Sequence, residues 1–158
     1  MAEHYFTNKP SVEHRFKEFT EELRGRTYSF LTDSGVFSKD EVDLGSKILI
    51  ETLSLQPGQT VLDLGCGYGP IGIVAATLVG ETGQVYMVDV NERACELARK
   101  NVERNGIRHA QVFVGDGVLA LPEDFTCDWV LSNPPIRAGK AVYYELLTRA
   151  FSKLRPGG

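Results

Sequence analysis

Hydrophobic and polar positions in this chain repeat with two periods. Residues 16–23 and 27–32 read as extended segments flanking Arg24-Gly25-Arg26, and in the second of them Tyr28, Phe30 and Thr32 fall on one face. A hairpin is predicted. Asp33-Ser34-Gly35 then turns the chain, and Leu44, Ile48 and Leu53 recur at near-helical spacing behind Asp43, which can serve as an N-cap. A lead-in helix follows. Beyond Gln56-Pro57-Gly58-Gln59 the pattern becomes strand and helix in turn, at 60–64, 69–79, 85–90 and 92–105. The last of these helices is capped by Asn91, carries Ala94, Leu97, Ala98, Asn101 and Val102 at helical spacing, and ends at Asn105-Gly106. Strands at 111–114 and 129–132 and a helix at 141–154 complete the pattern. Strands separated by helices imply an α/β fold, a doubly wound, mostly parallel sheet with right-handed crossovers. Residues 1–56 form an N-terminal hairpin and lead-in helix packed on a core of residues 57–158.

The composition of the 158 residues, 42% hydrophobic and 24% charged, suits one globular domain. No apolar run approaches a membrane span, and Met1 to Phe6 lacks the regions of a secretory signal, so a cytoplasmic address is expected. Three cysteines, Cys66, Cys95 and Cys127, lie far apart without metal-ligand spacing, and their odd number argues against a disulfide framework. Reduced thiols and no metal are expected. The net charge of −4 argues against indiscriminate binding of polyanions, but it hides an asymmetry. After residue 132 the chain carries Arg137, Lys140, Arg149, Lys153 and Arg155 against Glu145 alone. Such a run reads first as a solvated helix face and second as a rim facing phosphates.

In doubly wound sheets ligands bind beyond the carboxyl ends of the strands. The first core strand leads into Asp63-Leu64-Gly65-Cys66-Gly67-Tyr68-Gly69-Pro70-Ile71-Gly72, where glycines permit close approach and a helix N-terminus follows. Gly67-x-Gly69-x-x-Gly72 alone also matches a dinucleotide fingerprint. Asp63 discriminates, because a carboxylate there would repel a diphosphate and welcome an amine. Cys66 sits between two glycines where a small side chain is needed, and nothing places a base beside it. Asp89 at the second strand end can accept both hydroxyls of a ribose, and Asp116 at the third can accept from an adenine amine. The fourth strand ends Ser132-Asn133-Pro134-Pro135, where the prolines remove two donors and leave Asn133 and nearby carbonyls as acceptors. Any one of these is a common turn or cap. Four in register point to a nucleoside bearing an amine, with a second amine held beside it.

These residues resemble a known family. Asp63-x-Gly65-x-Gly67-x-Gly69 is similar to the first motif of class I S-adenosylmethionine-dependent methyltransferases, and Asn133-Pro134-Pro135 to the motif of those acting on planar amino groups. Gly35-Val36-Phe37-Ser38, Asp43-x-Gly45-Ser46 and the run from Asn133 to Lys140 resemble the small methyltransferase-domain family typified by small-subunit ribosomal RNA guanine-N2 methyltransferases. The resemblance implies a Rossmann-like methyltransferase sheet with S-adenosylmethionine as cofactor. It implies Gly65 and Gly67 against the methionine moiety, Asp63 toward its amino group, Asp89 on the ribose and Asp116 at the adenine, with Cys66, Gly69, Val90 and Gly117 also at the cofactor. Asn133 and the Pro134 carbonyl would hold the target amine, with Pro135, Ile136, Arg137 and Phe37 facing the substrate. RNA, either ribosomal RNA or a small ribosomal subunit, is the implied partner.

Two departures stand out. Ile136 occupies the place where many amino methyltransferases carry an aromatic that stacks on the base, which makes Phe37 the candidate platform. The family continues into three more strands beyond Leu154-Arg155-Pro156-Gly157-Gly158, so an incomplete sheet is expected, its 129–132 strand an edge open to self-association. Three other readings stay open: a protein glutamine methyltransferase, whose amide substrate needs the same acceptors; an inactive cofactor-binding fragment; and an NAD-dependent oxidoreductase, which leaves Asp63 and Asn133 without roles.

Overall fold

The computed structural model of the chain describes residues 15–34, 41–133 and 139–158. β1 (Phe16–Leu23) and β2 (Arg26–Asp33) pair antiparallel, in register from Phe16 opposite Asp33 to Leu23 opposite Arg26. The two connecting residues, Arg24 and Gly25, both have positive φ (52° and 78°), which a tight hairpin of this hand requires. Arg24 is held in that conformation by α1 (Leu44–Thr52): its guanidinium donates to the carbonyls of Ile50, Glu51 and Leu53 at 3.2, 3.2 and 3.1 Å. A cation thereby satisfies the carbonyls that the helix end leaves open.

Asp43 caps α1 as expected, accepting from the Ser46 amide. Of the predicted stripe only Leu53 is buried. Leu44 and Ile48 are 72% and 56% exposed, while Ser46, Ile50 and the capping Leu53 are buried. Apolar spacing defines a stripe, but which side packs is set by the neighbours, here α2 and β1.

The core alternates as the pattern predicts: β3 (Thr60–Leu64), α2 (Pro70–Val79), β4 (Gln84–Asp89), α3 (Glu92–Arg104), β5 (Ala110–Val114), β6 (Trp129–Ser132) and α4 (Lys140–Phe151). A short 3-10 turn at Gly117–Ala120, absent from the prediction, follows β5. The sheet is parallel in the order β5-β4-β3-β6. Chain direction across the sheet therefore reverses at β3, and the gap between the ends of β3 and β6 is the crevice where such sheets bind ligands. β6 lies at the edge, and residues 153–155 run beside its approach: the Cys127 amide donates to Lys153 O (2.9 Å) and the Arg155 amide to Cys127 O (2.8 Å).

Apolar side chains cover both faces of the sheet, as expected for parallel strands. Val61, Val85 and Met87 join a cluster with α2, α3 and the hairpin, whereas Leu62, Leu64 and Val88 join one beneath α4 and the 3-10 turn. The hairpin docks on α3 through amide side chains. Asn101 accepts from the Leu31 amide (2.7 Å) and donates to the carbonyls of Leu31 and Tyr68 (both 2.8 Å), and Asn105 holds Ser29 in the same two-way fashion. Each carboxamide substitutes for a neighbouring strand's backbone. Cys66, Cys95 and Cys127 are free and buried. Among the described residues no helix is long and apolar enough to cross a membrane.

Candidate functional site

The strand ends bring Asp63, Asp89, Asp116 and Asn133 to one rim of the sheet. Register makes this so: Leu64 lies opposite both Val88 and Ser132, and Asp89 opposite Val114. Ser132 fastens the β6 end to β3 by donating its hydroxyl to Leu64 O at 2.9 Å.

Asp63 is completely buried, and neither carboxylate oxygen has a hydrogen-bond partner among the described residues. α2 passes close by, since a side chain at Gly72 would begin 2.8 Å from Asp63 Oδ2 and from Met87. Burial, reinforced by the Asp89 charge and opposed by the nearby Gly72 amide, pushes the Asp63 pKa up to about 7. An ionised carboxylate so placed is costly unless a cation or donors meet it. The residue fits an arriving ammonium group.

Asp89 is buried but partnered. Its Oδ2 accepts from the Gly67 amide and its Oδ1 from the Asn91 amide, both at 2.9 Å. Burial raises its pKa, with these amides working in the other direction. Each oxygen keeps a lone pair that could accept from a hydroxyl, and the residue has a structural duty the sequence did not reveal, holding the glycine loop.

That loop bends through positive φ at Gly65, Gly67 and Gly69 (77°, 57° and 107°). The Gly65 and Cys66 amides donate to Val88 O, and the Gly69 amide to Cys66 O. With the Gly67 amide on Asp89, these four donors are spent inside the protein. The loop offers a ligand space in place of donors: nothing among the described residues lies within 4 Å of where a Gly65 side chain would begin. Gly69 and Gly117 serve packing, as added side chains would meet Met87 at 3.0 Å and Leu146 at 2.8 Å respectively. The Cys66 thiol is pushed well up by the neighbouring Cys95 thiol, by burial and by the nearby aspartates, which suits a structural role. Val90 is half-buried beside Asp89, and Asp116 is exposed with its side chain making no cap bond.

Asn133 leaves the end of β6 and meets the start of α1. Its Nδ2 donates to Asp43 Oδ2 at 2.9 Å and to Ser46 Oγ at 3.0 Å. The sequence offered Asp43 only as a cap. Its partnership with a residue ninety positions away has no local signature, although Asp43-x-Gly45-Ser46 was visible as a motif. Phe37, Pro134, Pro135, Ile136 and Arg137 lie outside the described residues. In the basic tail Arg149 pairs with Glu145 (2.6 Å), Arg155 with Asp128 (2.8 Å), and Lys153 donates to Glu123 O (3.0 Å), the pattern of a solvated face.

Known proteins resemble this chain in sequence and fold. The chain is 40% identical over 161 residues to the uncharacterized protein YbxB of Bacillus subtilis, covering all of this chain and 79% of that one. It is 34% identical over 155 residues to ribosomal RNA small subunit methyltransferase C of Stutzerimonas stutzeri, covering 94% of this chain and 45% of the relative. The fold superposes with a TM-score of 0.80 on the T. thermophilus 16S rRNA N2 methyltransferase RsmC in complex with AdoMet and guanosine, at 31% identity over 94% of this chain and 41% of that one. The chain thus spans less than half the length of either ribosomal RNA methyltransferase. The methyltransferase small domain profile matches residues 27–158, and the chain belongs to that family.

Proposed function

We propose that this chain binds S-adenosylmethionine at the ends of β3, β4 and β5 and carries its methyl group to an exocyclic amine, guanine N2 of ribosomal RNA. The observation that carries the donor reading is the buried Asp63 carboxylate, without a hydrogen-bond partner among the described residues, which suits an aliphatic ammonium and would repel a diphosphate. When bound, the donor supplies a methyl group activated on a sulfonium. The chain's own residues hold and aim. Asp63 pairs with the amino group, Asp89 accepts from the ribose with the lone pairs the loop amides leave, and Asp116 stands open for the adenine.

The acceptor reading rests on Asn133, one strand over from Asp63. A purine amine has its lone pair delocalised into the ring and is a poor nucleophile until its hydrogens are engaged. The Asn133 carbonyl oxygen accepts one of them and directs the lone pair across the crevice, so that catalysis is positioning and electrostatics. The RNA assignment is supported by the likeness to RsmC, a 16S rRNA N2 methyltransferase seen with guanosine.

Calorimetric titration of S-adenosylmethionine and, separately, NADH tests the donor. Binding of the first alone is expected, and binding of NADH alone would overturn the reading. Transfer of labelled methyl to ribosomal RNA, and none to a glutamine peptide, is the expected outcome for the acceptor. Label on the peptide alone would move the assignment to a protein amide.

A further inference from the structure

Asn133 is held by a closed set of hydrogen bonds whose direction is fixed by one group. Asp43 carries a carboxylate, which can only accept. Its Oδ1 takes the Ser46 hydroxyl proton (2.8 Å), and its Oδ2 takes the Ser46 amide (3.1 Å) and one hydrogen of Asn133 Nδ2 (2.9 Å). Because the Ser46 hydroxyl has given its own proton to Asp43, its oxygen is free to accept the second Nδ2 hydrogen, at 3.0 Å. Both hydrogens of the Asn133 carboxamide are thereby spent on α1. Among the described residues its oxygen is the polar atom left over.

An asparagine amide can be turned by half a revolution with little change of shape, which exchanges its oxygen and nitrogen. The turned form would set the Asn133 oxygen against the Asp43 carboxylate and present an NH₂ to the substrate, donor facing donor. Asp43 forbids that form. Three further observations agree. Gly45 leaves room for the contact, since a side chain there would begin 3.1 Å from Asn133 Nδ2 and Oδ1. Ser46 is buried although polar. Burial acts to raise the Asp43 pKa, yet the bonds from Ser46 and Asn133 outweigh it and the net shift is downward, which keeps the carboxylate ionised.

We propose that Asp43, acting with Ser46, is a positioning residue for methyl transfer: it locks the Asn133 carboxamide with its oxygen toward the acceptor amine. This inference rests on the reading of Asn133 as the group that engages that amine. It gives Asp43-x-Gly45-Ser46 a chemical meaning beyond capping, as the device that sets the polarity of a residue on another element.

The test separates the cap from the lock. Asp43→Ser keeps a side-chain oxygen that can cap α1 but is too short to reach Asn133, and Ser46→Ala leaves the cap intact while removing one acceptor. With ribosomal RNA and S-adenosylmethionine, kcat should fall roughly 10- to 100-fold in Asp43→Ser and less in Ser46→Ala, as for other residues that orient a reacting group. Melting temperature and donor Kd should stay near those of the parent, and Asp43→Asn, which caps and still offers one oxygen to Asn133, should recover most of the rate. In an Asn133→Ala background Asp43→Ser should cost nothing further. Equal losses in both backgrounds, an unchanged kcat, or a loss confined to donor Kd would each overturn the lock. Full kcat in Asn133→Ala alone would instead sink the underlying role of Asn133. A readout independent of turnover is the Asn133 side-chain amide in NMR spectra: its two hydrogens should be protected from exchange in the parent and exposed in Asp43→Ser, and equal protection in both would also overturn the lock.

Discussion

The two ends of the crevice, which we assign to donor and acceptor, each hold an aspartate, and the chain treats them in opposite ways. At the donor end Asp63 is sealed from solvent without a partner among the described residues, and burial drives its pKa to about 7. At the acceptor end Asp43 is exposed at the rim, receives bonds from Ser46 and Asn133, and has its pKa lowered despite the burial acting on it. An unpartnered buried carboxylate is half of an interaction whose other half arrives with the ligand; a saturated one is scaffold. The ends also differ in origin. Donor groups come from successive strand–helix units between residues 63 and 117, whereas the acceptor end joins residues 43 and 133 from distant parts of the chain.

The sharpest way to break this contrast is Asn133→Ala. Methyl transfer should fall by roughly two to three orders of magnitude, the scale of losing one aligned polar group at a reacting centre, with donor affinity nearly intact. A loss of donor affinity at unchanged kcat, measured by calorimetry beside single-turnover kinetics, would merge the two ends into one. Asp63→Asn comes next and should cost about 2–4 kcal/mol of donor binding, because it removes the charge opposite a buried ammonium.

The same residue sets a pH dependence. Asp63 in the folded chain holds its proton up to about 7, far above the ordinary carboxylate value of 3.8 expected in the unfolded chain. Between those values the folded state binds the extra proton, so ligand-free stability declines as pH rises through the window. Donor affinity should have the opposite trend, rising toward pH 7, and both trends should weaken in Asp63→Asn, with the remainder due to Asp89, whose pKa burial also raises. Thermal melts and calorimetry over this range would show it.

Asp89→Ala should weaken donor binding by about 1–3 kcal/mol through lost ribose contacts, with part of the effect arising from a loosened Gly67. Crystals of the variant with donor would separate the parts. Arg149→Ala should have the smallest effect, under about 1 kcal/mol on stability, since its partner Glu145 is exposed. An unchanged salt dependence of RNA binding in that variant is expected of a solvated face; a shallower one would assign α4 to the phosphate rim.

The gathering of the three strand-end aspartates on one rim was legible because its signals are local. A parallel sheet places ligands at strand ends, so the spacing of Asp63, Asp89 and Asp116 after apolar runs carried the geometry directly. The buried stripe of α3 followed the same logic, with Ala94, Leu97, Ala98, Asn101 and Val102 all inside. What stayed hidden depended on contacts between distant segments. Nothing near Leu44 and Ile48 says that they face outward, and nothing near Asp89 says that one oxygen is committed to Gly67. Asn101 read as one more position in a helical stripe, although its amide closes three backbone groups in two other segments.

That last residue has a consequence for the order in which the protein assembles. Its bonds to Leu31 cross seventy positions, while the strand–helix units from β3 to β5 form from much nearer neighbours. The hairpin is therefore expected to dock late in refolding, after α3 is in place. Because the Tyr68 ring packs edge-on against Phe19 and Phe30 of the hairpin, the glycine loop is expected to reach its final shape only when the hairpin arrives. The ability to bind a donor should thus be the last property the refolding chain acquires, lagging behind the recovery of helix content.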